Sequence, residues 1–183
     1  MLAIIPTDTC YGLAWEISKQ DYNEIYRLKW REFQKQLALL VETFDDMKKY
    51  IEITDVQIEF LKNYPYPWSF LGKRNREFVL PGFLDDEKYD KISIRVAENC
   101  IPHNITPPNL PFSGEGWKGN QYPLFLTSAN ISWAPESKTL TEARETFPWV
   151  EWRDGGICDQ PPSDIFSLDW EENLVYRRRN YWV

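Results

Sequence analysis

The sequence predicts a single mixed α/β domain. Three observations carry that expectation. Short apolar runs of strand length alternate with stretches of helical spacing. The length, 183 residues, suits one domain. A hydrophobic fraction of 43% with 16% aromatics supplies one core. No internal repeat and no linker divides the chain, so residues 1–183 read as one unit.

Leu2 to Ile5 is a buried strand, and Pro6 stops it by removing a ladder donor. The chain then enters "PTDTCYGL", Pro6 to Leu13, with more hydroxyl and carboxylate groups than a turn needs. A helix is expected from Asp21. Asp21 and Glu24 have capping-box spacing, and Tyr22, Ile25 and Leu28 recur at helical intervals. "LALLV", Leu37 to Val41, reads as a central strand buried on both faces. Thr54 caps a second helix with Val56, Phe60, Leu61 and Tyr64 as its apolar face, ended by Tyr64-Pro65. "KISIRVA", Lys91 to Ala97, alternates: Ile92, Ile94 and Val96 face one way, Ser93 and Arg95 the other. Residues 98 to 120 hold four prolines and three glycines and read as a long loop, of the kind that often covers a site. "YPLFLTSAN" is a strand running into a polar turn. A helix over Thr141 to Phe147 and strands at Ile165 to Leu168 and Asn173 to Arg177 complete the domain.

A net charge of -7 argues against general nucleic-acid binding. Basic residues cluster at Lys29, Arg31 and Lys35, at Lys73, Arg74 and Arg76, and at Arg177 to Arg179; such clusters are more often solvated faces than sites. No apolar run approaches the roughly 20 residues that span a bilayer, and no basic segment leads a long apolar one. A cytoplasmic protein that does not enter membranes is the expectation. Cys10, Cys100 and Cys158 lie far apart and read as free thiols. The single histidine, His103, argues against a His/Cys zinc site, and its proline-rich loop argues against a serine triad. Neither GxxxxGK[ST] nor GxSxG occurs. Asp45-Asp46 and Asp85-Asp86 read as surface pairs.

The informative segments are distributed: "PTDTCYGL", "LKWR" (Leu28 to Arg31), "SIRV" (Ser93 to Val96), "LTSANIS" (Leu126 to Ser132) and "PPSDIFSLD" (Pro161 to Asp169). Several fall where a strand or helix ends, the usual position of a site in an open α/β sheet. In this order they resemble the YrdC family of threonylcarbamoyl-AMP synthases, over nearly the whole chain. That family's pattern is PTDTxYGL, KxR, PGPxT, RxP, SANxSG and a late Ser-Thr-Ile.

The resemblance implies a YrdC-like fold, a twisted open mixed sheet with flanking helices and a concave active site. It implies an enzyme, a nucleotidyltransferase that joins L-threonine, bicarbonate or CO2, and ATP into threonylcarbamoyl-AMP, releasing pyrophosphate. A partner transferase uses that product to modify an adenosine of tRNA. ATP with Mg2+ enters as substrate, with no intrinsic metal site. Thr7, Thr9 and Tyr11 would bind threonine through directional hydroxyls, and Asp8 would orient their loop. Lys29, Arg31, Arg95, Ser128, Asn130 and Ser163 would hold ATP, the lysine as a point charge and the arginine as a fork. No residue is an obvious nucleophile, so catalysis would be positioning and charge stabilisation. A noncatalytic RNA-binding module and a carbamoyl-transfer relative are the competing readings.

The chain departs from the pattern at Pro65-Tyr66-Pro67-Trp68-Ser69, which lacks the glycine, and at Arg95-Val96-Ala97. Ser163-Asp164-Ile165 sets a carboxylate beside the expected phosphates. Tryptophan stands where the pattern has glycine, at Trp30 and Trp133. With nine tryptophans and eight glycines overall, this raises the expectation that UGA codons read as glycine in the source organism have been translated as tryptophan.

Overall fold

The computed structural model describes residues 2–33, 35–102, 122–169, 171 and 173–179. Its described strands form one mixed sheet in the order β7-β1-β2-β6-β3-β5-β4-β8-β9. The strands are β1 (Leu2–Pro6), β2 (Tyr11–Glu16), β3 (Ala38–Val41), β4 (Trp68–Lys73), β5 (Lys91–Val96), β6 (Leu124–Ser128), β7 (Glu151–Trp152), β8 (Asp164–Leu168) and β9 (Leu174–Arg178). Pairs β3–β5, β4–β8 and β1–β7 are parallel and the others antiparallel. The helices are α1 (Lys19–Leu28), α2 (Met47–Tyr50), α3 (Asp55–Lys62), α4 (Ala97–Cys100) and α5 (Leu140–Thr146).

The pleat divides the sheet into two unlike faces. One face carries the large side chains: Leu13 and Trp15 of β2, Leu39 and Val41 of β3, Ile92, Ile94 and Val96 of β5, and Phe125 of β6. Tyr22, Ile25 and Tyr26 of α1, Ile58 and Leu61 of α3 and Ala143 of α5 pack into the same cluster. The opposite face has a smaller cluster around Ile5, Leu40, Leu124 and Leu126. Beside it Gly12, Ala38, Ser69, Ser93 and Ser128 line a central cavity with Arg95.

Several elements differ from the sequence expectation. Helix α1 starts before Asp21, because Ser18 is extended (φ -126°, ψ 150°) and its hydroxyl accepts the Asp21 N–H. Glu24 pairs with Arg27 on the exposed surface instead. On α3 the expected Thr54 cap is present, with Gln57 completing a capping box. Its core face, however, is Ile58 and Leu61, while Val56 is 69% exposed; a helix of eight residues turns few side chains inward. Strand β2 was hidden by the turn-forming residues ahead of it, and β4 by the prolines before Trp68. The alternation of β5 stands as expected, with Ile92, Ile94 and Val96 in the core. His103 and the stretch 103–121, most of the expected loop, lie outside the described residues. The three cysteines are free and buried.

Candidate functional site

A cavity of about 210 Å3 lies on the face that carries Leu40 and Leu126, beside α4. Small residues from adjoining strands floor it: Gly12 of β2, Ala38 of β3, Ser69 of β4, Ser93 of β5 and Ser128 of β6. At Gly12 the vacancy is required, since a Cβ there would stand 2.8 Å from Leu126 Cδ1 and 3.3 Å from the Thr127 carbonyl. A second hollow of about 930 Å3 shares Arg31, Gln36, Ser93 and Ile165 with the first. A third, about 140 Å3, lies by Lys29, Asn130 and Trp133. Arg31 lines all three.

The loop between β1 and β2 brings Thr7 and Thr9 to the central cavity, both 3% exposed. Their hydroxyls have different tasks. Thr7 Oγ1 donates to the Cys10 carbonyl at 2.7 Å and closes the turn. Thr9 Oγ1 has only distant partners, Thr7 Oγ1 at 3.3 Å and Cys10 Sγ at 3.8 Å, so its hydrogen-bonding capacity is left for a ligand. Asp8 pairs with the buried Arg95 guanidinium, and its backbone N–H donates to the Cys100 carbonyl at 2.8 Å. It thereby anchors the loop to β5 and α4. Arg95 lines the cavity with its charge already offset by Asp8, while its buried Nε has no partner.

Tyr11 does not join the cavity. It begins β2 on the core-facing side, fully buried, and its hydroxyl meets Asp154 Oδ1 (3.0 Å) and the Gly156 carbonyl (2.9 Å). It also accepts the Gly155 N–H at 3.0 Å. Burial pushes the phenol up to about 12. The residue expected to bind threonine instead pins the segment after β7.

Lys29 and Asn130 likewise turn inward. Lys29, the residue after α1, is 1% exposed. Its ammonium donates to the Ser128 carbonyl, to the Asn130 carbonyl at 2.5 Å and to Asn130 Oδ1 at 3.2 Å. An ammonium has three donors, and all are engaged. Burial, with Arg31 nearby, lowers its pKa to about 7. Asn130 gives its amide to the Ala134 carbonyl (2.6 Å) and accepts from Ser128 Oγ (2.6 Å). These residues knot the turn after β6 to the end of α1. What they offer directly to a ligand is small; Ser128 still lines the central cavity.

Arg31 is different. One nitrogen donates to the Gln36 carbonyl at 2.9 Å, and its buried Nε has no partner. Among the described residues no carboxylate lies within ion-pair distance of it. Ser163 lines the central cavity, beside Ser69 (3.3 Å between hydroxyls) and bonded to Arg178, which donates to the Ser163 carbonyl. Arg178 lines the cavity too; as one of three consecutive arginines it gave no sequence signal beyond charge, and only the pairing of β9 with β8 aims it inward. Glu136, in the turn before α5, lines the same cavity and was also missed. Asp164, feared beside the phosphates, is fully buried on the other side of the strand, where its carboxylate accepts the Tyr64 hydroxyl at 2.7 Å. Strand alternation removes it. Among the described residues no group of His, Cys, Asp and Glu is arranged to hold a metal ion. No helix among them is long and apolar enough to cross a membrane.

A threonylcarbamoyl-AMP synthase of Klebsiella pneumoniae is 28% identical over 169 residues, 87% of this chain and 80% of that protein. P. abyssi Sua5, solved in complex with L-threonine, superposes with a TM-score of 0.72 at 22% identity over 94% of this chain. The chain spans about half of that structure, 49%. E. coli YciO gives a TM-score of 0.71 at 21% identity over 97% of this chain and 82% of its own. At such identities the structural likenesses establish the fold. The family model described as "Telomere recombination" matches residues 1–178, nearly the full chain, and the chain therefore belongs to the Sua5/YciO/YrdC family.

Proposed function

We propose that this protein makes L-threonylcarbamoyl-adenylate from L-threonine, bicarbonate or CO2, and ATP, releasing pyrophosphate. The Klebsiella relative bears the name of that activity, and the Sua5 neighbour was solved with L-threonine. The observation that carries the reading is Arg31, a guanidinium that lines three cavities and has no carboxylate partner among the described residues. One compartment, rich in hydroxyls, suits a small polar amino acid; the large one has room for a nucleoside. A fork-shaped cation between them suits the phosphate that must be attacked.

In this scheme the threonine amine, once deprotonated, attacks the carbon of CO2 and becomes a carbamate. A carbamate oxygen then attacks the α-phosphorus of ATP, the bond to the bridging oxygen breaks, and pyrophosphate leaves. Thr9 orients the amino acid. Arg31 and Arg178 meet the charge that develops on phosphate oxygens, an electrostatic contribution that is often the largest in such transfers. Ser163, Ser128 and Arg95 line the wall between them. Lys29 and Asn130 act by holding the loop, not by gripping the triphosphate. Mg2+ would arrive with ATP as part of the substrate. The product would pass to a tRNA-modifying transferase in the cytoplasm.

The test is substrate dependence. Pyrophosphate release should require ATP, threonine and bicarbonate together, and omitting any one should return it to background. Release that ignores threonine would overturn the proposal. Retention of RNA without turnover would favour a noncatalytic RNA-binding module, which the net charge of -7 weighs against.

A further inference from the structure

Among the described non-glycine residues only Trp30 (φ 49°) and Trp133 (φ 74°) have positive φ. For a bulky side chain this is an outlier. Neither indole is buried: Trp30 is 78% and Trp133 85% exposed. The local hydrogen bonds name the positions. Trp30 N–H bonds to the Arg27 carbonyl (3.2 Å) and Arg31 N–H to the Tyr26 carbonyl (2.9 Å). That is a Schellman ending, in which Trp30 holds the left-handed site that glycine dominates. At Trp133, the Ala134 N–H bonds to the Ile131 carbonyl at 3.0 Å. Trp133 is thus the third residue of a type II turn, the one that requires φ above zero and so takes glycine. By contrast, Trp15 (0% exposed) and Trp68 (2%) lie in strands inside the core, where tryptophan belongs.

We infer that the functional protein carries glycine at positions 30 and 133, encoded by UGA read as glycine in its source organism. The two positions adjoin one knot: Lys29 precedes Trp30, and the Lys29 carbonyl accepts the Ser132 N–H at 2.8 Å. The inference also deepens the nucleotide reading and rests on it in this respect. Trp133 walls the small cationic pocket with Lys29, Arg31 and Lys35, and the Lys35 ammonium lies 3.9 Å from its ring centroid. Glycine at 133 opens that pocket and removes the ring from Lys35, whose ammonium then keeps Glu32 (3.6 Å) as its partner and faces the opened space.

The experiment has two arms. Genomic sequencing of codons 30 and 133, with peptide mass spectrometry of the protein from its source, should give UGA and glycine at both. UGG at either codon overturns the inference. In the second arm, W30G and W133G should each raise the melting temperature by about 2–4 °C, whereas W15G and W68G should lower it; no gain at positions 30 and 133 overturns the assignment independently of any activity. W133G should also bind pyrophosphate at least threefold more tightly than the tryptophan chain. Stability gained without that tighter binding would sink the phosphate reading of the pocket and leave the glycine assignment standing.

Discussion

At the knot between α1 and the turn after β6, every donor of the Lys29 ammonium already has an oxygen. At the mouth of the cavities, Arg31 has a buried N–H with no partner and, among the described residues, no carboxylate in reach. Two cations two positions apart thus stand in opposite settings. A cation whose valences are filled from within holds structure. A cation with valences left over is free for a ligand. Residue type alone does not separate them, because both belong to one basic cluster.

Removing Arg31 should break the comparison hardest. R31A is expected to lower kcat/KM for pyrophosphate formation by about 100-fold or more, a loss of ~3 kcal/mol of transition-state stabilisation. Stability should change little, since the side chain's one described bond is to the Gln36 carbonyl. R31K should recover only part of the rate, because a point charge lacks the fork. Steady-state kinetics with a thermal melt would decide. A collapse of folding with residual kcat/KM intact would reverse the assigned roles.

K29M should show the mirror image. The methionine leaves the Ser128 and Asn130 oxygens without a buried donor, at a cost of about 2–3 kcal/mol. Activity should then fall because the turn is lost. A pH signature separates this from simple misfolding. Burial lowers Lys29 from 10.5 to about 7. Between those values the unfolded chain holds a proton that the folded chain releases, so stability rises with pH there, by at most about 1.4 kcal/mol per pH unit. Below the lower value the desolvation penalty stays at full size. The slope should disappear in K29M, as read from denaturant midpoints across that window. A slope that persists unchanged would assign the titration elsewhere.

How much of this was legible in the sequence depends on what the period of a strand can report. In "KISIRVA" the alternation alone put Ser93 and Arg95 on the polar face, and both line the cavity. The same rule applied to "SDIFSLD" would have turned Asp164 away from Ser163, but the resemblance drew attention to the motif ahead of the pleat. The division between Lys29 and Arg31 was not readable. It depends on Asn130, 101 residues away, and donor accounting needs coordinates. Trp30 was readable in part, as a tryptophan where the family pattern has glycine, while its left-handed backbone (φ 49°) needs coordinates.

Thr9 and Thr7 make a finer version of the comparison within one turn. T9V keeps the shape and removes the hydroxyl that has capacity to spare. It should raise KM for threonine about tenfold, ~1.4 kcal/mol, with the melt unchanged. T7V removes the 2.7 Å bond that closes the turn and should lower stability as well. Equal effects from both would mean that the loop acts as a whole.

Tyr11 gives the smallest and most discriminating test, because sequence and structure disagree over it. If its hydroxyl served the substrate, Y11F would raise KM for threonine and leave the fold alone. The structure instead gives that hydroxyl to Asp154, Gly155 and Gly156. Phenylalanine would fill the same space in the core and leave the Gly155 N–H without its acceptor. The expected loss is about 1 kcal/mol of stability, a melting shift of ~2–4 °C for a domain of this size. KM for threonine should stay within twofold. The two outcomes fall on different instruments, so one variant distinguishes a hydroxyl that binds threonine from one that fastens the segment after β7.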